Sequence, residues 1–507
     1  MVHSVHSAAI LGLEALLVRV EVAIRRGTPM IGIVGLAPSA ARDCRERFRS
    51  AAAQLGLRVP GLRITVNLAP ADVHKDGAAF DLPVAVAVLA GAGHLPGRRS
   101  SRWAYVGELG LDGTVRPVRG VLPVALRCRR LPSLEGLIVP ESNLAETRAV
   151  SGLRVLGARN LGQVLEFLRG EAKLASAKDA PLLDEPAVPQ ALDFGEVSGQ
   201  RTAKRALEIA AAGGHSVLLR GAPGVGKTML ARALPTILPP LTLKEALETT
   251  AVHSVAGRLL PGTGLLAGRP FRAPHHTITG VGLAGGGTPI RPGEISLAHN
   301  GILFLDELPE FRPAALEALR QPLEDGVVRI TRAGTSVEFP SSFVLVAAMN
   351  PCPCGRLIEV ERSCTCDPAA VRRHAARLSA PLLDRVDMYV DVPSITWNTL
   401  SASSGNPESA VMLDRVREAR ERAGHRPGGR AALNARLTTR GIREHCSLGS
   451  EAEGLLRKGS NRFGLSARAC HRILRVSRSI ADLDACRSIR AEHVAEALQF
   501  RARHKDR

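Results

Sequence analysis

The spacing of apolar positions changes along the chain, and it first alternates between two kinds of element. In the first 170 residues, short runs typical of β-strands occur at 17–24, 30–34 and 63–68, separated by Ala-rich stretches typical of helices. One helix is predicted at 39–55, because proline precedes it and glycine closes it. We therefore expect the N-terminal region to mix strands and helices.

The middle of the chain has a different pattern, in which nearly continuous apolar runs alternate with helical stretches. The runs lie at 216–219, 302–305 and 343–348. Strands without an apolar-polar alternation are typical of a parallel sheet that is covered by helices on both faces. The pattern predicts a parallel α/β core.

The last hundred residues show only the 3.6-residue period of amphipathic helices, and we predict an all-helical region there. Its apolar positions recur at 414–422, 450–457, 467–483 and 491–501. Two polar, proline-containing stretches separate the three regions. The predicted domains are residues 1–172, 191–393 and 411–507, joined by linkers at 173–190 and 394–410.

Charge and composition narrow the class of protein. The 507 residues include 67 Lys and Arg against 48 Asp and Glu, a net charge of +19, and residues 401–507 alone carry +10. Such a field favours a polyanionic partner, although a solvated Arg-rich helical surface would have the same composition. Only 3% of the residues are aromatic, so a nucleic-acid partner would be held by its phosphates rather than by base stacking.

Nothing in the sequence indicates a membrane protein or a disulfide-rich secreted protein. The longest nearly apolar stretch, 82–93, is shorter than the 18 or so residues of a membrane span. The N-terminus lacks a basic segment, and nine cysteines are too few for a disulfide framework in a chain of this length. We expect a cytoplasmic protein with no membrane partner.

A phosphate-binding loop is predicted directly after the strand-like run at 216–219. Its glycines allow backbone N–H groups to surround a β-phosphate, its lysine contacts β- and γ-phosphate oxygens, and its threonine hydroxyl binds Mg²⁺. The predicted ATP-binding residues are Gly221, Ala222, Pro223, Gly224, Val225, Gly226, Lys227 and Thr228.

Two further strand-like runs end in polar residues that suit the same site. The run at 302–305 ends in Asp306 and Glu307, which we expect to hold the Mg²⁺ shell and to activate the attacking water, respectively. The run at 343–348 leads to Asn350, which suits a hydrogen bond to the γ-phosphate or the water, or else a simple turn at the strand end. Arg385 lies past the sheet and suits an arginine finger on a neighbouring subunit, with a salt bridge inside 384–387 as the alternative.

A compact group of cysteines follows the third run. Cys352, Cys354, Cys364 and Cys366 form two C-x-C pairs that nine residues separate. Four thiols so close together can converge on one Zn²⁺ in tetrahedral geometry. The alternatives are a redox pair and unliganded thiols, so we expect a structural zinc site without excluding either.

Six segments together resemble a known family. They are the phosphate loop at 221–228 and the motifs at 268–276, 292–300, 303–311, 320–326 and 347–355. This set is similar, essentially from end to end, to the magnesium-chelatase-like AAA+ ATPases of the YifB/ComM type. The resemblance implies an N-terminal Lon-protease-like α+β domain, an AAA+ core with a parallel sheet and a C-terminal helical lid.

The resemblance also implies an activity and a set of roles. Members of this family are ATP- and Mg²⁺-dependent and form rings, usually hexamers, and ComM-type members act as DNA branch-migration helicases in natural transformation. Carried over by motif, Lys227 and Thr228 belong to Walker A, and Asp306 and Glu307 to Walker B. Asn350 is sensor 1, Arg385 the finger and Arg468 sensor 2, with Arg472 and Arg475 on the same helix face as open alternatives.

The N-terminal region departs from an active Lon protease at two positions. Ala79 stands where the nucleophilic serine is expected, and Leu122 stands at the position of the catalytic lysine. Without a hydroxyl nucleophile or an amine base, peptide hydrolysis is not expected. We expect this domain to mediate assembly, or to bind a partner or DNA.

A glycine-rich segment between the Walker motifs is where the family inserts a pore-facing hairpin. The segment spans 264–293 and carries Arg269, Arg272, His275 and His276, which we predict as DNA contacts. Taken together, the sequence favours a DNA motor that is driven by ATP hydrolysis. The alternative is a chelatase-like or chaperone-like ATPase that remodels a protein partner without DNA.

Overall fold

The computed structural model describes residues 2–57, 61–71, 75, 77–179, 183–184, 192–332, 334–359, 363–401, 407–426 and 433–502. Its N-terminal part is built of strands and helices that alternate along the chain. The strands are β1 (Val2–Leu11), β2 (Glu14–Arg25), β3 (Met30–Val34), β4 (Arg63–Ala69), β5 (Trp103–Tyr105), β6 (Glu108–Leu109), β7 (Val115–Arg116), β8 (Gly136–Pro140), β9 (Arg154–Ala158) and β10 (Ala175–Ser176), and the helices are α1 (Pro38–Gln54), α2 (Asp81–Gly91), α3 (Gly97–Ser100), α4 (Val121–Cys128) and α5 (Leu161–Arg169).

Eight of these strands form one mixed sheet in the order β10-β9-β8-β5-β1-β2-β4-β3. The strand β2 runs antiparallel to both of its neighbours, β1 and β4, whereas β5, β8 and β9 are parallel. The predicted strands at 17–24, 30–34 and 63–68 and the helix at 39–55 are confirmed to within a few residues. The edge strand β10 lies inside the predicted linker 173–190. Because it pairs with β9, this part of the predicted linker belongs to the sheet.

The middle of the chain contains the second sheet and its covering helices. The strands are β11 (Leu183–Asp184), β12 (Val217–Arg220), β13 (Leu265–Leu266), β14 (Phe271–Arg272), β15 (Gly285–Gly286), β16 (Arg291–Pro292), β17 (Ile302–Leu305), β18 (Val327–Arg332), β19 (Thr335–Pro340), β20 (Val344–Met349) and β21 (Met388–Asp391). The helices are α6 (Arg201–Gly213), α7 (Lys227–Ala233), α8 (Leu243–Ala256), α9 (Gly280–Ala284), α10 (Glu294–Leu297), α11 (Pro313–Glu317), α12 (Arg320–Asp325), α13 (Pro368–Ala375), α14 (Ala380–Leu383) and α15 (Trp397–Ser401).

Five strands of this region form a sheet in the order β14-β17-β20-β12-β21, and every pair in it is parallel. All residues of β17 and β20 are buried, which is why their sequences are continuously apolar. Because the strands are parallel, all their carboxyl ends lie at one edge of the sheet. The predicted parallel α/β core is confirmed.

One part of the glycine-rich segment 264–293 belongs to this sheet instead of to an insert. Phe271 of β14 is paired with Ile302 of β17, and its ring stacks on that of Phe304 with 6.0 Å between centroids. This apolar contact holds β14 as the edge strand. A separate hairpin, formed by β18 and β19, connects α12 to β20 along the chain.

The C-terminal part is entirely helical, as the sequence predicts. Its helices are α16 (Ser409–Gly424), α17 (Thr439–His445), α18 (Ser450–Phe463), α19 (Ala467–Leu483) and α20 (Ala491–Ala502). The helices α16 and α19 pack against α6 of the middle region, and their apolar side chains share a hydrophobic core with the five-stranded sheet.

The N-terminal sheet region is also attached to the middle region through side-chain packing. Helix α4 lies against α8, and apolar residues of both helices belong to one buried cluster. Backbone hydrogen bonds from Gly120 to Ser254 and from Gly262 to Ser142 cross the same boundary. None of the helices in the described part of the chain has both the length and the apolar character that crossing a membrane requires.

A buried carboxylate joins the helical region to the sheet. Asp387, just before β21, accepts hydrogen bonds from the backbone N–H and the hydroxyl of Ser216 and from Arg472 of α19. Burial alone would raise the pKa of Asp387. The hydrogen bond and charge of His215, the charge of Arg472 and the Ser216 amide outweigh burial and hold this pKa well below its usual range.

Replacing Asp387 by Ala is expected to lower the free energy of unfolding by about 3–5 kcal/mol, because Arg472 and His215 would stay buried without their carboxylate. Since its folded-state pKa is lowered, the stabilisation is present above the unfolded-state value of about 3.9 and is lost as pH falls through the folded-state pKa. Urea denaturation followed by circular dichroism at pH 7 and in acid measures both effects. Replacing Glu444, whose partner Arg440 is exposed, should leave the midpoint unchanged. An equal shift in the two variants would contradict this role of Asp387.

Candidate nucleotide-binding site

A glycine-rich loop connects the carboxyl end of β12 to the first residue of α7. Gly224 and Gly226 have φ angles of 81° and 94°, which side-chain-bearing residues rarely adopt. No heavy atom lies within 4 Å of the Cβ position at either glycine. Both glycines therefore face open space at a helix N-terminus, where backbone N–H groups and the helix dipole favour an anion.

Lys227 occupies the centre of this loop. Its ammonium donates to the backbone carbonyl oxygens of Gly221 and Ala222, each at 2.8 Å, and to Oδ1 of Asn350 at 3.1 Å. Burial lowers the pKa of Lys227, and the carboxylates of Asp306 and Glu307 offset that effect only in part. A buried cation whose hydrogen-bond partners are neutral oxygens is a strong site for phosphate.

The predicted magnesium ligands lie beside Lys227. The Thr228 hydroxyl donates to Oδ2 of Asp306 at 2.8 Å, so the two oxygens point into the same space. The other carboxylate oxygen, Oδ1, accepts the backbone N–H of Glu307. A hydroxyl and a carboxylate are suitable oxygen ligands for Mg²⁺, and the donor set fits this ion.

Asn350 follows β20 and faces the same space from the neighbouring strand. Its side chain contacts Lys227, and its backbone oxygen accepts a hydrogen bond from Nε2 of His374 at 3.0 Å. Three neighbouring strands thus bring together the side chains that the sequence singles out at their carboxyl ends. The arrangement can bind a triphosphate and its metal ion.

Glu307 has an unusual backbone conformation, and its side chain contacts His276, which the sequence predicts as a DNA contact. Its φ angle is 52°, which is rare for a residue with a side chain. Oε2 of Glu307 lies 3.4 Å from Nδ1 of His276. The His276 ring is fixed by His275 and by the edge of Phe311. His276, predicted as a DNA contact, is therefore positioned to orient Glu307.

Gln200 is a site residue that the sequence analysis missed. It precedes α6 with a φ of 50° and is buried. Its Nε2 donates to the backbone oxygens of Val225 and Pro393, which fixes the loop to the segment after β21. No sequence signal marks this role, since both partners are backbone atoms of distant segments.

Arg385 lies at the opposite edge of the sheet from the loop. It precedes β21, which pairs in parallel with β12, and the loop follows β12. The four residues of these strands separate the two edges by roughly 13 Å. Arg385 is mostly buried and is paired at 2.9 Å with Glu324, which lies outside the segment 384–387. Its finger contact with a neighbouring subunit stays a prediction.

The three sensor 2 alternatives on α19 differ in their environment. Arg472 is committed to Asp387 and to the backbone oxygen of Arg385, and Arg475 donates to the backbone oxygen of Leu437. Arg468 is 67% exposed and lies 3.8 Å from Glu324, the partner of Arg385. Arg468 and Arg385 therefore share one surface, away from the loop of their own chain.

The four clustered cysteines converge as the sequence predicts. The four sulfur atoms all lie within 4.8 Å of one another, and Cys352 is fully buried. Hydrogen bonds from the backbone amides of Arg356 and Thr365 lower the pKa of Cys354 to about 6. The cluster is compatible with a structural Zn²⁺.

The two arginines among the predicted DNA contacts are paired with carboxylates inside the chain. Arg269 is nearly buried and binds Glu245 together with backbone oxygens, including that of Asn300. Arg272 forms a bidentate pair with Glu294, at 2.6 and 2.8 Å. These pairs hold β14 and α10 in place, whereas His275 is exposed and contacts Thr277. DNA contact by Arg269, Arg272, His275 and His276 stays a prediction.

The two residues at which the sequence differs from the expected pattern of an active Lon protease both have defined positions in the structure. Ala79 lies in a tight turn before α2, and its backbone oxygen accepts from Gly107. Leu122 is fully buried in α4, within the cluster that contacts α8. The Leu122 side chain thus contributes to packing between the two regions.

A parallel five-stranded sheet with a phosphate loop after β12 and acidic residues after β17, with β20 between these two strands, defines an AAA+-like P-loop core. Three family models match the chain: magnesium chelatase, subunit ChlI, at 193–400; subunit ChlI of Mg-chelatase at 20–143; and the ChlI C-terminal part at 406–501.

Curated relatives match over nearly the whole chain. Competence protein ComM of Haemophilus influenzae is 42% identical over 503 residues, covering 98% of this chain and 97% of that protein. The uncharacterized protein YifB of Escherichia coli is 41% identical, with 98% and 96% covered. The magnesium-chelatase 67 kDa subunit of Heliobacterium mobile is 29% identical over 188 residues, covering 32% and 28%. The chain belongs to the YifB/ComM family of magnesium-chelatase-like, AAA+-like ATPases.

Replacing His276 by Ala is expected to lower kcat for ATP hydrolysis by about tenfold or more while leaving ATP affinity close to wild type, because Glu307 would lose its positioning partner. Steady-state kinetics together with equilibrium nucleotide binding separate the two effects. His425→Ala, at an exposed position after α16, is the control and should behave as wild type. A His276→Ala chain that hydrolyses ATP at the normal rate would show that the contact has no catalytic consequence.

Proposed function

We propose that the chain hydrolyses ATP at the carboxyl edge of the five-stranded sheet and uses the energy to move DNA, as a ring-forming branch-migration helicase in recombination or in the uptake of transforming DNA. The observation that supports ATP binding most directly is the hydrogen-bonded set of Lys227, Asn350, Thr228 and Asp306. Its members come from three strands and form a single site. The similarity to a competence protein supports the DNA role.

The roles of the side chains follow from their positions. The loop 221–228 and Lys227 would hold the phosphates, and Thr228 and Asp306 would hold Mg²⁺. This ion neutralises charge on the β- and γ-phosphates when bound. Glu307, oriented by His276, would accept a proton from the attacking water, and Asn350 would orient the γ-phosphate.

Hydrolysis requires more than one copy of the chain in this proposal. Arg385 lies at the sheet edge opposite its own loop, so it can only complete the site of a neighbour. Arg468 is exposed on the same surface and would act beside it as sensor 2. This placement supports a closed ring, and the family resemblance supports six subunits.

Two surfaces support DNA as the substrate. The helical region is strongly basic, and the β18–β19 hairpin carries Arg329 and Arg332 in exposed positions. Exposed arginines on a hairpin can follow a phosphate backbone without reading bases. The hairpin adds candidates to the four DNA contacts that the sequence predicts.

The N-terminal sheet region is proposed to be a Lon-like domain that serves assembly or partner binding. Ala79 and Leu122 leave it without the nucleophile and base of a serine peptidase. Its packing through α4 onto α8 supports a structural attachment to the motor core. The domain limits 1–172, 191–393 and 411–507 belong to the same proposal.

Glu307→Gln is expected to reduce the ATP hydrolysis rate by roughly 10²–10⁴-fold, since the amide cannot accept the proton of the attacking water. Nucleotide affinity should be retained, because Lys227 and Thr228 are unchanged. Phosphate release and equilibrium ATP binding measure these two quantities. Substantial residual hydrolysis would assign the general base elsewhere.

Forked DNA is expected to stimulate ATP hydrolysis, and the stimulation should weaken as salt rises from 50 to 200 mM, since phosphate contacts release counterions. Arg332→Ala should lower the stimulated rate toward the DNA-free rate. Lys244→Ala, which removes one positive charge at an exposed position of α8 outside both surfaces, should not. If forked DNA does not raise the ATP hydrolysis rate at low salt, the result would favour a protein-remodelling, chelatase-like activity instead.

A further inference from the structure

The cysteine cluster is built on the chain segment that continues directly from the nucleotide site. Cys352 lies two residues after Asn350, which contacts Lys227. In the described residues between Cys352 and Cys366 there is no helix or strand. A loop of this length without regular structure needs another source of order.

The sulfur positions suit a single tetrahedral ion. Sγ of Cys352 lies 3.4 Å from that of Cys354 and 3.7 Å from that of Cys364, and Cys354 and Cys364 are 3.6 Å apart. Zinc-thiolate bonds of about 2.3 Å at tetrahedral angles place the sulfurs about 3.8 Å apart. The remaining ligand, Cys366, accepts the backbone N–H of Cys354 through its sulfur.

The same loop lies directly against the phosphate loop. Gly355 has a φ of 77°, and a Cβ built on it would lie 2.6 Å from Cδ of Pro223 and 3.3 Å from Cα of Ala222. Only glycine fits at this contact. The position of the cysteine loop therefore limits where the backbone of the phosphate loop can lie.

The chain returns to the nucleotide site after the last cysteine. Helix α13 begins at Pro368, two residues beyond Cys366, and its His374 donates to the backbone oxygen of Asn350. Asn350 is thus held from both ends of the cysteine loop. A bond network that joins the two pairs of cysteines would therefore fix both ends of the cysteine loop together.

We propose that Cys352, Cys354, Cys364 and Cys366 bind one structural Zn²⁺, and that this ion positions the phosphate loop and Asn350, so that zinc occupancy controls ATP binding. The inference rests on the proposed function only in placing ATP at the loop 221–228. Zinc joins the two ends of the cysteine loop, and the loop transmits that order through Gly355 and His374. Loss of the ion releases both contacts together.

Metal analysis of the purified full-length chain tests the first half of the proposal. We expect about one zinc per chain, retained on gel filtration, and its loss in Cys366→Ser. Cys486→Ser, at a cysteine outside the cluster, should keep the zinc. Iron in place of zinc, a disulfide detected as a two-dalton mass loss, or a metal-free wild type would each overturn the assignment.

Nucleotide binding tests the coupling. Fluorescent ATP-analogue titration should give affinity that is about tenfold weaker in chelator-treated wild type and recovers when Zn²⁺ is added back. Gly355→Ala should keep its zinc and still bind nucleotide more weakly, because all four ligands remain while the contact with Pro223 is disturbed. Gly454→Ala, where the added methyl meets open space, should match wild type in both respects.

Equal nucleotide affinity in the zinc-loaded and zinc-free wild type would overturn the coupling, as would a Gly355→Ala chain of normal affinity. Circular dichroism of each variant shows whether the chain is folded. If Cys366→Ser does not fold, Gly355→Ala still tests the coupling. These outcomes are separate from the DNA role. Zinc-dependent ATP binding without stimulation by forked DNA would support the zinc proposal and contradict the helicase.

Discussion

The structure of the nucleotide site depends on one buried ammonium group. Lys227 is surrounded by two carbonyl oxygens of its own loop and by the amide oxygen of Asn350, and burial lowers its pKa. The cost of burying this cation is reduced only while the phosphate loop and the end of β20 keep their positions. Binding of a polyphosphate supplies the negative charge that the neutral partners lack.

The two edges of the parallel sheet carry different sets of functional candidates. The side chains proposed to bind phosphate and Mg²⁺ lie at the carboxyl edge, whereas Arg385, Asp387 and Arg472 lie at the amino edge. Asp387 connects α19 to the sheet, so the helical region is anchored beside the proposed finger. In the proposed ring, Arg385 and α19 would connect a neighbour's γ-phosphate to the helical region. Glu324, which contacts both Arg385 and Arg468, lies at this junction.

Much of the fold and site could be predicted from sequence because the signals were local. The strands β17 and β20 are buried on both faces, so their apolar runs and the acids or amide that follow are visible directly. The four cysteines are close in sequence and converge in space. The phosphate loop has fixed spacing because its backbone must surround a phosphate.

The remainder depends on contacts between distant segments. His276 contacts Glu307 across 31 positions, and Gln200 contacts backbone atoms of two separate loops. Arg269 and Arg272 looked available for DNA because their carboxylate partners, Glu245 and Glu294, lie more than twenty positions away. The assignment of 264–293 to an insert missed β14, since a two-residue strand leaves no periodic signal.

Equilibrium binding of Mg²⁺-ATP to the full-length wild type and to Lys227→Ala tests most directly whether Lys227 holds the triphosphate. One saturable site per chain is expected in the wild type, with affinity at least a hundredfold weaker in the variant, since a charge-assisted contact of about 3 kcal/mol or more is removed. Urea denaturation should show that both chains are folded. Equal affinity of the two folded chains would contradict the central claim.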